Sequence, residues 1–140
     1  MKRTADAHWK GNLKEGNGSL TTQSTVLDKT QYSFNARFAD GVGTNPEELL
    51  GASHAGCFTM ALSAVLTQQG ITANELHTRA TVDLDPAAQK IAGIHLELTA
   101  SAIDGVSEET FTAAAEGAKA NCPISKALAA TPITLTVKYG

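Results

Sequence analysis

A chain of 140 residues with 42% apolar and 18% charged residues has the composition of one ordinary globular domain, so neither disorder nor two separate cores is expected. Its formal net charge of −3 argues against a nucleic-acid partner, because phosphate binding needs an excess of Lys and Arg. The basic start is followed by no apolar segment, and no apolar run approaches the ~18 residues of a membrane span, so we expect neither a secretory signal nor a membrane partner.

Strands are predicted along the N-terminal part of the chain, where apolar and polar residues alternate. They cover residues 7–13, a more polar stretch around 18–25 that follows a Gly-Asn-Gly turn, and residues 31–38. In the third strand the phenylalanines would occupy one face and Arg37 the other. From that face Arg37 could reach the helix that follows.

A long helix is predicted next, because the residues at its start are typical of a helix N-terminus. Asn45 can cap it, Pro46 suits the first turn, and the two glutamates that follow lie at the positive end of the helix dipole. From Leu49 to Leu66 nearly every residue is apolar or small, and Gly70 ends the helix. A helix that is apolar almost all round is expected to be buried on every side.

The C-terminal half is predicted to hold further strands and two helices. Alternation indicates strands over 75–84 and 91–102, and a last strand follows Pro132. Ser107 caps a helix with an apolar face, and Pro123 separates that helix from a shorter one, because the residue before a proline avoids helical angles.

The element order is therefore βββ-α-ββ-αα-β, which indicates a single α+β domain over residues 1–140. Aromatic residues make up only 5% of the chain, and the N-terminal sheet cannot wrap the long helix completely. A second copy of the chain is the simplest cover, so we expect a homodimer.

The two cysteines are candidates for chemistry, because we expect a cytoplasmic protein and that compartment keeps thiols reduced. Cys57 lies within the long helix among small residues that leave space for a ligand or another backbone. The alternative is an inert core cysteine that packs as a small hydrophobe. Cys122 lies where the short helix begins, and free N–H groups there favour a thiolate. The alternative is a cap cysteine without chemistry.

A reactive Cys57 would need a cation beside it. At an ordinary pKa of ~8.5 only about 3% of a thiol is ionised at pH 7, and burial lowers that fraction further. Arg37 is the candidate, since a guanidinium stays charged when it is desolvated, and a carboxylate must hold it in place. Glu47 would lie about 15 Å from Cys57 along a straight helix. Either the helix is broken or the Glu47 of a second copy serves the site, and we expect the second.

Several segments together resemble the OsmC/Ohr family over essentially the whole chain. They are residues 44–52, residues 55–58 around Cys57, and Asn121-Cys122-Pro123-Ile124-Ser125. Residues 7–9 and 34–38 resemble its OsmC branch, the osmotically inducible proteins. The resemblance implies antiparallel sheets around central helices in an intertwined homodimer, with active sites at its interface. It also implies the reduction of organic hydroperoxides to alcohols in oxidative and osmotic stress defence.

The resemblance further implies a role for each site residue. Cys57 would be the peroxidatic cysteine that becomes a sulfenic acid, and Cys122 would resolve it as a Cys57–Cys122 disulfide. Arg37 would stabilise the thiolate, and Glu47 would orient Arg37. No cofactor is implied, and an external dithiol or lipoylated protein of the dihydrolipoamide type would reduce the disulfide. A pocket that favours organic peroxides is expected from the apolar residues Phe34, Phe38 and Met60.

Other interpretations stay open. His54 lies three residues before Cys57, so a Cys–His hydrolase is conceivable, although no oxyanion loop is apparent. The histidines are scattered without metal-ligand spacing, so no metal site is expected. A non-catalytic stress protein with a structural disulfide is the third alternative, and such a bridge would contribute about 4 kcal/mol.

Overall fold

The N-terminal sheet consists of antiparallel strands in chain order, β1 (Ala5–Lys10), β2 (Asn17–Thr22) and β3 (Thr30–Tyr32). It belongs to the first of two units, residues 1–49 and residues 50–140, into which the computed structural model of all 140 residues divides. The rings of Trp9 and Tyr32 are in contact across this sheet, with centroids 5.5 Å apart. The first two strands are therefore confirmed, with slightly earlier bounds than predicted.

The third predicted strand is wrong beyond Tyr32, because Phe34–Phe38 form a short helix, α1. The Ser33 hydroxyl caps this helix by accepting a hydrogen bond from the Ala36 N–H at 3.1 Å. Phe34 and Phe38 are thus neighbours on one helix face, and their ring centroids lie 4.8 Å apart. Arg37 lies in the last turn of α1 rather than on the polar face of a strand.

The predicted long helix is confirmed as α2 (Pro46–Gln68), which runs without interruption. The Asn45 side chain caps it, accepting from the Glu48 N–H at 2.8 Å. In a single chain α2 is not buried on every side, so that expectation is wrong. One stripe is buried (Gly51, His54, Phe58, Leu62 and Leu66), whereas Met60 is 76% exposed.

The expectation that no apolar run reaches the length of a membrane span is also wrong. Over an 18-residue window α2 has a mean hydropathy of 1.5, so it is long and apolar enough to cross a membrane by length and composition. Its many alanines keep the average high although serines and threonines interrupt the run. The core helix of a soluble protein meets the same criterion, and 28% of this window is buried within the chain.

The second unit contains another sheet, ordered β4 (Leu76–Asp85), β5 (Lys90–Ala100) and β6 (Ile133–Tyr139). Strands β4 and β5 are antiparallel, but β5 and β6 are parallel. The expectation of purely antiparallel sheets is therefore wrong for this pair. The segment between β5 and β6 contains two helices, and such a long connection returns the chain to the same end of the sheet.

Those two helices are α3 (Glu108–Asn121) and α4 (Pro123–Ala127). The Ser107 hydroxyl caps α3 as predicted, accepting from the Thr110 N–H at 3.1 Å. The apolar face of α3 joins the buried side of the sheet and the α2 stripe in one core, which includes Phe58, Leu62, Leu66, Ile94, Leu96, Leu98, Phe111, Ala114, Ala115 and Ala118. The α+β class is confirmed, and the element order becomes βββ-αα-ββ-αα-β.

Candidate active site

Cys122 lies at the junction of two helices, as the C-cap of α3 and the N-cap of α4. Its N–H donates to the Ala118 carbonyl at 2.9 Å, and its sulfur accepts from the Ser125 N–H at 3.3 Å. Pro123 takes the first position of α4, where no N–H is needed. The side chain is completely buried. The prediction that Cys122 lies at the start of the short helix is confirmed.

Cys57 lies half-buried on α2, beside the Cys122 thiol. The backbone N–H of Ile124, in the first turn of α4, favours the ionised form of both sulfurs. Both cysteines are free thiols in this structure. Two sulfurs that are distant in the sequence are therefore brought together at the N-terminus of α4.

The two thiols differ in their ease of ionisation. Burial raises the pKa of Cys57, the Ile124 N–H opposes that rise only in part, and the neighbouring Cys122 adds to it. Burial also opposes ionisation of Cys122, but hydrogen bonds from the Ser125 hydroxyl and N–H hold the pKa of Cys122 below its ordinary value. No cation is among the groups that shift the pKa of Cys57. The isolated chain therefore favours a thiolate at Cys122, not at Cys57.

His54 lies one turn before Cys57 and is completely buried. Its Nε2 lies 2.8 Å from the Ser125 hydroxyl, which in turn lies 3.3 Å from the Cys122 sulfur. Burial lowers the pKa of His54, so its imidazole is neutral. The hydrogen bond of this imidazole goes to Ser125 rather than to Cys57, so the geometry gives no support to a Cys57–His54 dyad.

Arg37 and Glu47 form an ion pair within residues 1–49. The Arg37 Nε lies 3.2 Å from each Glu47 carboxylate oxygen, and its Nη2 lies 2.7 Å from Oε1. The Glu47 side chain is 13% exposed and the Arg37 side chain 38% exposed. A guanidinium held by several hydrogen bonds keeps a fixed orientation while part of it faces outward.

A cavity of about 290 Å³ adjoins this ion pair. Its wall is largely aromatic, from Trp9, Tyr32, Phe34 and Phe38, with Arg37 also in the lining. Phe34 and Phe38 thus form an apolar pocket as predicted, whereas Met60 is not part of its wall. The cavity combines an apolar surface with one guanidinium, a combination suited to a molecule with an apolar body and a polar end.

Sequence reasoning missed the role of Ser125 beside Cys122. A signal existed, because a cap residue and the residue three positions later face each other at a helix start. The spacing in Cys122-Pro123-Ile124-Ser125 matches that rule. For His54 the available signal was a polar side chain in an apolar helix, which indicates a buried partner without identifying it. No group of three or more His, Cys, Asp or Glu side chains is arranged to hold a metal ion.

Comparisons with known proteins agree with this architecture. The family model for OsmC-like proteins matches residues 39–138. The chain is 43% identical over 131 residues to the peroxiredoxin OsmC of Escherichia coli strain K12, covering 93% of this chain and 92% of the relative.

Solved structures show the same fold. The organic hydroperoxide resistance protein OhrB of Bacillus subtilis superposes with a TM-score of 0.68 at 28% identity, covering 98% of both chains. The organic hydroperoxide resistance protein OsmC of Legionella pneumophila gives a TM-score of 0.70 at 26% identity, covering 96% of both chains.

Proposed function

The chain belongs to the family of OsmC-like proteins, and from this we propose that it is a thiol-dependent peroxidase that reduces organic hydroperoxides to alcohols. Relatives named peroxiredoxin and organic hydroperoxide resistance protein support a peroxidase role in stress defence. The observation that carries the proposal is the adjacency of Cys57 and Cys122 at the start of α4. Two free thiols in that position can form and reopen one disulfide.

The proposed chemistry begins at Cys57. Its thiolate attacks the distal oxygen of the hydroperoxide, the O–O bond breaks, and the alkoxide leaves and takes up a proton as the alcohol. Cys57 becomes a sulfenic acid. The Cys122 sulfur then attacks the Cys57 sulfur, the S–O bond breaks, and the oxygen leaves as water. An external dithiol of the dihydrolipoamide type, free or on a lipoylated protein, reduces the disulfide in the cytoplasm.

A homodimer supplies the missing charge in this proposal. Cys57 needs a cation, because burial raises its pKa within one chain. Since α2 is continuous, Glu47 and Cys57 are separated by about 15 Å along one helix. We therefore assign the cation to Arg37 of the partner subunit, held there by its ion pair with the partner's Glu47. The aromatic cavity beside this pair would take the apolar part of the peroxide.

Thiol mass spectrometry tests the proposal directly. One equivalent of cumene hydroperoxide is expected to convert the wild-type protein to an intrachain Cys57–Cys122 disulfide. Cys57→Ser should leave Cys122 unmodified, and Cys122→Ser should accumulate a Cys57 sulfenic acid that dimedone traps. As a control, Ser101→Ala removes an exposed hydroxyl remote in sequence from both cysteines and should react like the wild type. Unchanged thiols in the wild-type protein would end the proposal.

The raised pKa of Cys57 favours one alternative, a non-catalytic stress protein with a structural disulfide. Redox behaviour separates the two functions. A structural bridge should resist mild dithiol reduction and should not reform with an alkyl hydroperoxide, whereas a catalytic pair should cycle many times.

A further inference from the structure

A chain of buried polar contacts leads from His54 through Ser125 to Cys122. The Nε2 of His54 is 2.8 Å from the Ser125 oxygen, and that oxygen is 3.3 Å from the Cys122 sulfur. His54 is completely buried and Ser125 nearly so, so no bulk water competes for these contacts. The Nδ1 of His54 has no hydrogen-bond partner. An apolar residue would avoid that cost, so stability alone does not account for a histidine at this position.

The direction of the hydrogen bonds follows from the single proton of the Ser125 hydroxyl. A thiolate at Cys122 can only accept, so the hydroxyl must donate to it. The His54 Nε2 must then carry the ring proton and donate to the Ser125 oxygen, which leaves Nδ1 as a bare acceptor. This tautomer identifies the orphaned Nδ1 as an acceptor without a proton. His54 thereby holds the hydroxyl so that its proton is directed at sulfur.

We propose that His54 and Ser125 are positioning residues for the resolving step, keeping Cys122 ready as the thiolate that attacks the oxidised Cys57. The inference rests on the proposed peroxidase function and deepens it. When Cys122 is a thiolate, Ser125 supplies two donors to the same sulfur, its N–H at 3.3 Å and its hydroxyl, whose oxygen also lies 3.3 Å from the sulfur. His54 touches neither cysteine through a hydrogen bond and acts through Ser125.

The step is balanced without any further group. The Cys122 thiolate gives an electron pair to the Cys57 sulfur, the S–S bond forms, and the S–O bond of the sulfenic acid breaks. The departing oxygen leaves as water, taking up one proton from the solvent, which balances the proton that Cys122 released when it ionised. Cys122 is oxidised and the Cys57 sulfur is reduced, so the disulfide carries the oxidation that the peroxide introduced.

Single-turnover kinetics separate this role from the first step. In Ser125→Ala and His54→Leu, oxidation of Cys57 by cumene hydroperoxide should proceed at the wild-type rate. Disulfide formation should slow by on the order of ten-fold, the effect of losing one hydrogen bond to a charged group. His54→Gln should restore most of the rate, because its amide can donate where Nε2–H does. His77→Leu, on an exposed strand position, is the matched control.

A second measurement needs no peroxide, so it remains informative if the proposed function fails. In a Cys57→Ser background Cys122 is the remaining thiol, and ultraviolet absorbance follows its ionisation without a reagent having to enter the core. Adding Ser125→Ala or His54→Leu should raise the pKa of Cys122, and His54→Gln should not. A folded Ser125→Ala protein with an unchanged Cys122 titration, or with wild-type disulfide formation, would overturn the inference. Should His54→Leu not fold, the Ser125→Ala titration decides.

Discussion

Hydrogen bonds at the start of the short helix α4 make one of the two cysteine thiols easier to ionise than the other. The Cys122 sulfur contacts the N–H and the hydroxyl of Ser125, and both contacts lower the pKa of Cys122. Burial raises the pKa of Cys57, and the Ile124 N–H opposes that rise only in part. Of the two thiols in these surroundings, Cys122 is the one that loses its proton more readily. For Cys57 to become the nucleophile, a positive charge must reach it from outside this cluster. The reactivity of Cys57 therefore depends on a cation that approaches α2 from outside this cluster.

The buried His54 should make stability sensitive to mild acid. Burial lowers the pKa of its imidazole below the ordinary 6.5, so the unfolded chain binds a proton at a pH where the folded chain does not. The contribution of the neutral His54 to the free energy of unfolding should therefore be fully present above about pH 6.5. It should decrease as the pH is lowered from there towards the folded-state pKa of His54. Urea unfolding between pH 7.5 and about pH 5 measures this dependence.

His54→Gln is the comparison for that prediction. It removes the titrating group while keeping a donor toward Ser125, so the loss of stability should be smaller than in the wild type over the same interval. His77→Gln changes an exposed histidine and should leave the dependence as it is. Equal slopes for His54→Gln and the wild type would contradict a proton-linked cost at His54.

At the scale of single residues, the sequence predicted the features that depend on near neighbours in the chain. Pro123 fixed the boundary between helices and so placed Cys122 at a cap, as observed. The contact between His54 and Ser125 joins residues 71 positions apart, and no local rule connects them. The easier ionisation of Cys122 agrees with its predicted position at a helix start, and the raised pKa of Cys57 agrees with the expected effect of burial. The role of Cys57 as the nucleophile was implied by the family resemblance and not by its neighbours in the sequence.

At the scale of elements, Asn45 connects α1 and α2 within the first unit. Its side-chain oxygen accepts from the Glu48 N–H at 2.8 Å, and its side-chain nitrogen donates to the Ala36 carbonyl at 3.0 Å. Asn45→Ala removes both contacts, so it should lower the free energy of unfolding by about 1–2 kcal/mol. Asn45→Asp keeps the cap acceptor and should cost less. Urea unfolding of the three proteins measures the difference, and equal stabilities would contradict the capping role.

Two elements show where patterns alone are ambiguous. Residues Phe34–Phe38 fit a strand, with every second residue apolar, and equally fit one helical turn with Phe34 and Phe38 on one face. The Ser33 cap decides for the helix. Likewise, alternation predicts β5 and β6 as strands but contains no information on whether they run parallel. The strands with the clearest alternation, β4 and β5, were predicted nearly to their ends.

For the whole molecule, the exposed side of α2 is the feature that one chain leaves unexplained. The 23-residue helix α2, with a mean hydropathy of 1.5 over an 18-residue window, buries one stripe in the core, while the large apolar side chain of Met60 stays open to solvent. An apolar helix side that one chain leaves exposed is expected to be covered by a partner. A second copy of the chain would cover it and, in the function proposed above, would also bring the partner's Arg37 to Cys57.

Mixed dimers of two inactive variants test this arrangement. One chain carries Cys57→Ser and keeps Arg37, and the other carries Arg37→Ala and keeps Cys57. Each variant alone should have little peroxidase activity. In a mixed dimer, one site then combines the intact Cys57 with the intact Arg37 of the partner subunit, while the other site lacks both. Random pairing of equal amounts should restore about one quarter of wild-type activity, since half of the dimers are mixed and each has one working site.

The two chains carry different affinity tags so that mixed dimers can be purified. A second pairing of tagged chains provides the control. Doubly tagged dimers of the two single variants, purified from co-expressed chains, should have about half the wild-type activity per dimer. A chain carrying both substitutions, paired with wild type, should be nearly inactive, because the wild-type Cys57 then faces a partner without Arg37 and the wild-type Arg37 faces a partner without Cys57. If each Cys57 instead depends on the Arg37 of its own chain, every site in the mixed dimer lacks one group. Purified mixed dimers would then be as inactive as the parents, and the assignment of a cation across the subunit interface would be wrong.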